Sequence, residues 1–350
     1  MKGAAGRRLA ALGTGAALLL ASCAKDAPQD ALDPAGPVAR KIDGLWDLVF
    51  VMAVVVFVIV EGLLLLAVVR FRRRGGEERR VKQVHGNTRL EVIWTIVPAL
   101  MLATIAVPTV GTIWDLSRRP TGDVLNVSVT GKQWWWAIEY PDMDPPVHTA
   151  NELHIPAGRP VYITLTSEDV IHSFGVQRLA GTQDLIPGHE TTLTIQADEP
   201  GTYLGQCREY CGDSHGNMRI RVIAHDAAGF AEWVAAEQQD GVTPTEELAR
   251  RGSELFLRPD LCIQCHTIQG TDAQSPVGPD LTHFGSRDTI GTVLDNTPEN
   301  LRTWLEHPGA VKEDSLMPDY SCPVETEQGP RDCLSEEEVE ALVAYLMSLE

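Results

Sequence analysis

The 350-residue sequence predicts three structural classes in succession: a hairpin of two membrane-spanning helices, an all-β domain and an all-α domain. Three observations carry this. Leu45–Val69 and Val92–Leu116 are apolar runs of 25 residues each. At about 1.5 Å per residue, a helix of that length crosses a ~30 Å hydrocarbon core with some tilt. From Asp123 to Ala224, apolar residues recur at every second position, in Leu125/Val127/Val129, Val161/Ile163/Leu165, Leu193/Ile195 and Met218/Ile220/Val222. Short alternating strands separated by Pro and Gly indicate a sandwich or barrel. Beyond Thr245 the pattern becomes helical and strongly acidic.

The first 22 residues have the form of a secretory signal, with Lys2, Arg7 and Arg8 preceding the apolar run Leu9–Leu20. Leu20-Ala21-Ser22-Cys23 is similar to a bacterial lipoprotein cleavage site, which makes Cys23 a lipidated first residue; the competing reading is an uncleaved anchor. Residues 23–44, rich in Asp, Pro and Ala, read as an extended extracytoplasmic tether. The hairpin occupies 45–119, and the short loop between its helices is dense in Arg. The positive-inside rule puts that loop in the cytoplasm and everything after Leu116 outside. Glu61 lies within the first span and needs a partner there, burial against a neighbouring helix being its plainest explanation. The net charge of −19, with basic residues clustered in only one short segment, carries no nucleic-acid signature and suits either a basic partner or simple solubility.

Within the β domain (120–226), Gly205–Met218 concentrates the soft donors: Cys207, Cys211, His215 and Met218, with His172 upstream. Two Cys and two His would suit a structural zinc ion, and two cysteines four apart would suit a disulfide. A thioether is foreign to zinc and usual for copper electron-transfer sites. The set suits two copper ions bridged by both sulfurs. Trp134-Trp135-Trp136 cannot all face one side of a strand, so at least one is predicted at a surface or interface. His148, His154, His189 and His225 lack ligand spacing.

Residues 227–244 are expected as a linker with one short helix, and 245–350 as the helical domain. Cys262-Ile263-Gln264-Cys265-His266 is C-x-x-C-H, the attachment signature of c-type haem, with zinc or a redox dithiol as competitors. Met317, in Met317-Pro318, is the expected second axial ligand; a His/Met pair raises the potential. His283 and His307 are the fallback ligands, and Met347 is read as core. Cys322 and Cys333 flank an insertion after Met317 and are expected to form a disulfide.

C-x-E-x-C-x-x-x-H-x-x-M, with a His in Ile171-His172-Ser173-Phe174, resembles the CuA motif of cytochrome c oxidase subunit II. With the haem signature downstream, the chain resembles the caa3-type subunit II that carries a fused cytochrome c domain. The resemblance implies a cupredoxin-like Greek-key barrel and a class I cytochrome c domain. It makes Cys207 and Cys211 the bridges of a dinuclear CuA centre, His172 and His215 its terminal ligands, and Met218 and the Glu209 carbonyl its axial ligands. It also gives the Glu209 side chain a magnesium ion shared with subunit I. Trp134 then matches the residue receiving the donor's electron, Asp169 an acid at the donor-docking surface, and Glu91 the entrance of a proton path. Gly278-Pro279-Asp280-Leu281-Thr282 matches the cytochrome pattern, but Val311-Lys312-Glu313 departs from the Lys-Pro-Gly more usual before the Met.

The implied function is electron input to a proton-pumping terminal oxidase of the bacterial cell membrane. A cytochrome c-type donor reduces one covalent haem c, then CuA, then subunit I, whose haem a, haem a3 and CuB reduce oxygen to water; subunit III is a further partner. Two rivals share parts of this sequence. One is the corresponding subunit of a copper-containing nitric oxide reductase; the other is a membrane-anchored copper carrier, which would need neither Met218 nor the haem signature.

Overall fold

The computed structural model of the chain describes residues 27–72, 83, 85–321, 325–326, 329–330 and 333–350. The signal segment with Cys23, residues 73–82 of the Arg-rich loop, and Cys322 lie outside the described residues. Helix α1 spans Pro37–Phe71 and helix α2 Thr88–Leu116. The α1 helix begins eight residues before the apolar run, so Pro37–Gly44 is helical where an extended tether was expected. The reasons are local. Pro37 sits in the first turn, where its fixed φ suits a helix start. Gly36 approaches the β domain so closely that a Cβ there would lie 1.9 Å from Gln196 O. Ala39 is buried, and Arg178 and Arg40 pair with Asp33 and Asp198. The amphipathic start of α1 is thus seated on the β domain.

The α2 helix is capped by Asn87, whose side chain accepts from Arg89 N and Leu90 N at 3.2 and 3.3 Å. Glu91 Oε1 accepts from Asn87 N in return, at 3.2 Å. Lys41 pairs with Asp115, which ties the two outer helix ends together beside the β domain. Side chains along both spans are exposed in the isolated chain, as lipid and a partner subunit would require.

The β domain is a cupredoxin-like pair of five-stranded sheets. Strands β1 Leu125–Lys132, β2 Trp135–Tyr140, β3 Val147–Ala150, β5 Val161–Ser167 and β8 Thr191–Ile195 form one sheet in the order β3-β2-β1-β5-β8. Strands β4 Glu152–Pro156, β6 His172–Gly175, β7 Thr182–Leu185, β9 Gly201–Cys207 and β10 Arg219–His225 form the other, in the order β4-β10-β9-β6-β7. Inward positions alternate as period two demands: Leu125, Val127 and Val129 face Val161, Ile163 and Leu165 across a parallel pair, all six buried.

Helix α3, Ala227–Glu237, is part of this body and not of a linker. Asp226 caps it by accepting from Gly229 N at 2.7 Å. Its Phe230 enters the β core, and its Trp233 stacks on His154 with centroids 4.3 Å apart. His154 Nδ1 lies 2.8 Å from His225 Nε2. Burial first, then the neighbouring charges of His225 and Arg287, lower the His154 pKa to about 3, so this pair packs as neutral imidazoles.

The C-terminal domain is built on α4 Glu247–Phe256, α5 Pro298–Glu306, the single turn α6 Pro308–Val311 and α7 Glu336–Met347. A full capping box, Ser335 with Glu338, starts α7. Helices α4 and α7 cross at Gly252, where a Cβ would stand 1.9 Å from Ala341 O and 2.7 Å from Tyr345 Cβ. Alanine ordinarily gains up to ~1 kcal/mol over glycine in a helix. Here the backbone contact reverses the sign: Gly252→Ala is expected to lose about 1–3 kcal/mol as the crossing is forced apart. Denaturant unfolding followed by far-UV dichroism checks this, and a stabilised variant would show that the helices do not meet there. Cys333 is disulfide-bonded.

Candidate metal centre and haem pocket

The loop 208–218 joins β9 to β10, and β6 lies beside β9 with Phe174 opposite Cys207. This register brings His172, at the start of β6, next to Cys207, at the end of β9. Cys207 Sγ and Cys211 Sγ are 3.8 Å apart, too far for a disulfide, and both are free thiols. His172 Nδ1 is 4.0 Å from Cys207 Sγ, and His215 Nδ1 is 3.6 Å from Cys211 Sγ. Met218 Sδ stands 3.9 Å from Cys211 Sγ, and Glu209 O stands 3.2 Å from Cys207 Sγ. Four donors therefore flank two central sulfurs, one imidazole and one weak donor on each side, six in all. A single tetrahedral ion uses four, so the set fits two soft ions sharing both thiolates.

The electrostatics agree with a poised site. The two thiols share a proton: the hydrogen bond from Cys211 pulls the Cys207 pKa far down, and Cys211 is pushed up in turn. Burial opposes a charge on His172, but Cys207 and Asp169 outweigh it and raise its pKa. Asp169 Oδ1 lies 2.7 Å from His172 Nε2, and Asp169 Oδ2 accepts from Gln133 N at 2.6 Å. The carboxylate thus orients the His172 ring, and it keeps part of its surface open to solvent. A Cβ at Gly131 would lie 2.7 Å from His172 Cδ2, so this glycine makes room for the ring. Asp169→Asn is expected to keep the fold and release copper to a chelator about 10–100-fold more readily, the usual effect of losing an outer partner of a metal ligand. Unchanged retention would count against the orienting role.

Trp134 is 6% exposed and Trp136 is fully buried. The Trp134 indole Nε1 donates to Cys211 O at 3.0 Å, and Gln133 Nε2 donates to the same oxygen at 2.7 Å. Trp134 and Trp135 both line a cavity of about 340 Å³ belonging mostly to the helical domain. The interface expected of the tryptophan run lies inside this chain.

Cys262, Cys265, His266 and Met317 line that cavity, and neither thiol is in a disulfide. His266 Nδ1 donates to Pro279 O at 2.8 Å, which fixes the tautomer and leaves Nε2 as the free ligand atom. A Cβ at Gly278 would approach His266 Cε1 to 2.7 Å. Trp304 Nε1 donates to Met317 Sδ at 3.1 Å. Apolar walls, two free thiols, a set imidazole and a thioether fit a covalently attached haem. His283 is excluded as a ligand by hydrogen-bond contacts at both ring nitrogens, to Glu350 O and Gln239 O. His307 faces Asp319, and Met347 packs on the domain core.

Glu209 is exposed, and Glu91 sits in the first turn of α2, where its side chain closes the helix cap. Sequence reasoning did not anticipate Glu152, Lys312 or Trp304, which act through contacts distant in sequence.

The fold and these sites define a membrane-anchored electron-transfer subunit with extracytoplasmic domains. Three family models match in order: "Cytochrome C oxidase subunit II, transmembrane domain" over residues 26–111, "Cytochrome C oxidase subunit II, periplasmic domain" over 146–225, and "Cytochrome c" over 249–350. Cytochrome c oxidase subunit 2 of Alkalihalophilus pseudofirmus is 36% identical over 337 residues, covering 95% of this chain and 94% of that one. That of Bacillus sp. strain PS3 is 34% identical over 298 residues, 80% of each chain. That of Bacillus subtilis is 33% identical over 350 residues, 95% of this chain and 94% of that one. The chain belongs to the cytochrome c oxidase subunit II family, in a form fused to a cytochrome c domain. It is a subunit of a cytochrome c oxidase, with subunit I as its partner in the membrane.

Proposed function

We propose that this chain takes electrons from a cytochrome c-type donor through haem c and a dinuclear CuA centre, for oxygen reduction to water in subunit I with proton pumping. One observation carries the reading: Trp134 lines the haem pocket while its indole is bonded to the backbone of Cys211. A single side chain touches both sites. The bound groups supply one-electron redox chemistry; everything else is done by the protein. Cys262 and Cys265 would hold the haem through thioethers, with His266 and Met317 as the side chains that would bind its iron. His172, Cys207, Glu209, Cys211, His215 and Met218 would hold two coppers, in a β frame that leaves little to reorganise when the charge changes. Trp134, closed to solvent, serves as the contact between the two sites and not as a landing point for a soluble donor.

Further parts of the reading rest on the sequence. Cys23 is lipidated, Cys333 is bridged to Cys322, Glu209 shares a magnesium ion with subunit I, and Glu91 opens a proton path. Subunit III completes the complex in a bacterial cell membrane. The test is gas uptake by the purified complex fed with a reduced cytochrome c. Oxygen consumption linked to proton release supports the proposal; nitric oxide consumption without oxygen uptake would replace it with the reductase.

A further inference from the structure

Lys312 is 4% exposed, and its ammonium lies between the two extramembrane domains. Its Nζ donates to Trp134 O of the β domain at 2.5 Å and to Gly291 O of the haem domain at 2.9 Å. A second buried ionisable group reaches the opposite way. Glu152, on β4 and 2% exposed, accepts from Thr289 Oγ1 at 2.6 Å and from Asp288 N at 3.1 Å. Each domain therefore sends one enclosed ionisable side chain onto hydrogen-bonding groups of the other. Ser214 Oγ, in the metal loop, adds a bond to Glu313 O at 2.6 Å.

Removing an ammonium or a carboxylate from water costs several kcal/mol unless its partners are in place. Burial is the largest influence on Lys312 and pulls its pKa down to about 7. Apolar surfaces tolerate sliding, but hydrogen bonds from enclosed charges are met in one relative pose and weaken steeply away from it. That pose sets the haem pocket against Trp134.

We propose that Lys312 and Glu152 are reciprocal positioning residues that lock the haem domain over Trp134, making the fused domain the copper domain's resident partner and closing Trp134 to soluble proteins. The proposal rests on the electron-input reading only for the purpose of the pose, not for its existence.

Amide hydrogen exchange on the full-length chain in detergent, with haem and copper bound, compares the wild type with Lys312→Met and Glu152→Gln. Exchange at Asp288–Gly291 and Trp134–Trp136 is expected to rise about tenfold or more in each variant. Protection of α4 and α7 and the haem absorption spectrum should be unchanged, and the iron-to-copper spin–spin distance distribution should broaden. Unchanged exchange at both segments with an unchanged distance would overturn the lock. So would an equal loss of protection throughout α4 and α7, because the residues would then maintain the domain's fold and not its pose. A wild type without a copper spin would strike at the copper reading alone, since the exchange comparison needs no metal signal.

Discussion

Cys211→Ser is expected to abolish the dinuclear centre, lowering bound copper from two ions per chain to one or none and the electron supply to subunit I by more than about a hundredfold. Cys211 is the hub of the site: its sulfur is 3.8 Å from Cys207 Sγ, 3.6 Å from His215 Nδ1 and 3.9 Å from Met218 Sδ. Serine offers a hard oxygen that stays protonated, so one bridge is lost and the soft donor set is broken. Loss of an outer partner already costs about 10–100-fold in metal affinity or activity, and loss of a bridging ligand should exceed that. The fold should survive, because Cys211 lies in a loop whose flanking strands pair independently of it. Metal analysis with dichroism checks both halves. Retention of two coppers would mean that the sulfur is not a bridge.

Met317→His is expected to lower the haem potential by a few tenths of a volt while leaving the haem attached. Axial ligands set haem potentials over about 0.8 V, with His/Met above bis-His. The thioethers come from Cys262 and Cys265, and the pocket wall is formed by both domains, so the haem should remain bound. The Trp304 indole loses the sulfur it bonds at 3.1 Å. Redox titration of the purified chain reads the shift directly. An unchanged potential would assign the sixth position to another residue.

Both donor sets were legible in the sequence because most of their members are local. Cys207 to Met218 occupy one loop, and Cys262 to His266 one turn, so spacing alone displays them. His172 and Met317 are remote, and residue chemistry together with the family resemblance supplied them. The period-two runs exposed the β core, since burial on one face leaves its mark on every strand. What the sequence concealed depends on contacts between distant segments. Trp134 reads as a surface residue until the haem domain is seen covering it. The contact of Asp169 with His172 Nε2, at 2.7 Å, is a second feature that spacing alone did not display. Lys312 looks like an ordinary solvated cation, and Glu152 like an outward-facing strand residue; only the docked pair of domains encloses them. The helix before Leu45 was hidden because its polar residues carry no spanning signal, and it is ordered by packing on the β domain.

On the proposed function, one chain holds a two-copper centre and a haem in contact through Trp134. Metal content and electron paramagnetic resonance of the purified full-length chain test it most directly. Two coppers and one iron per chain are expected, with hyperfine structure from one unpaired electron shared equally by two copper nuclei. A single copper with a one-nucleus pattern, or zinc in its place, would contradict it.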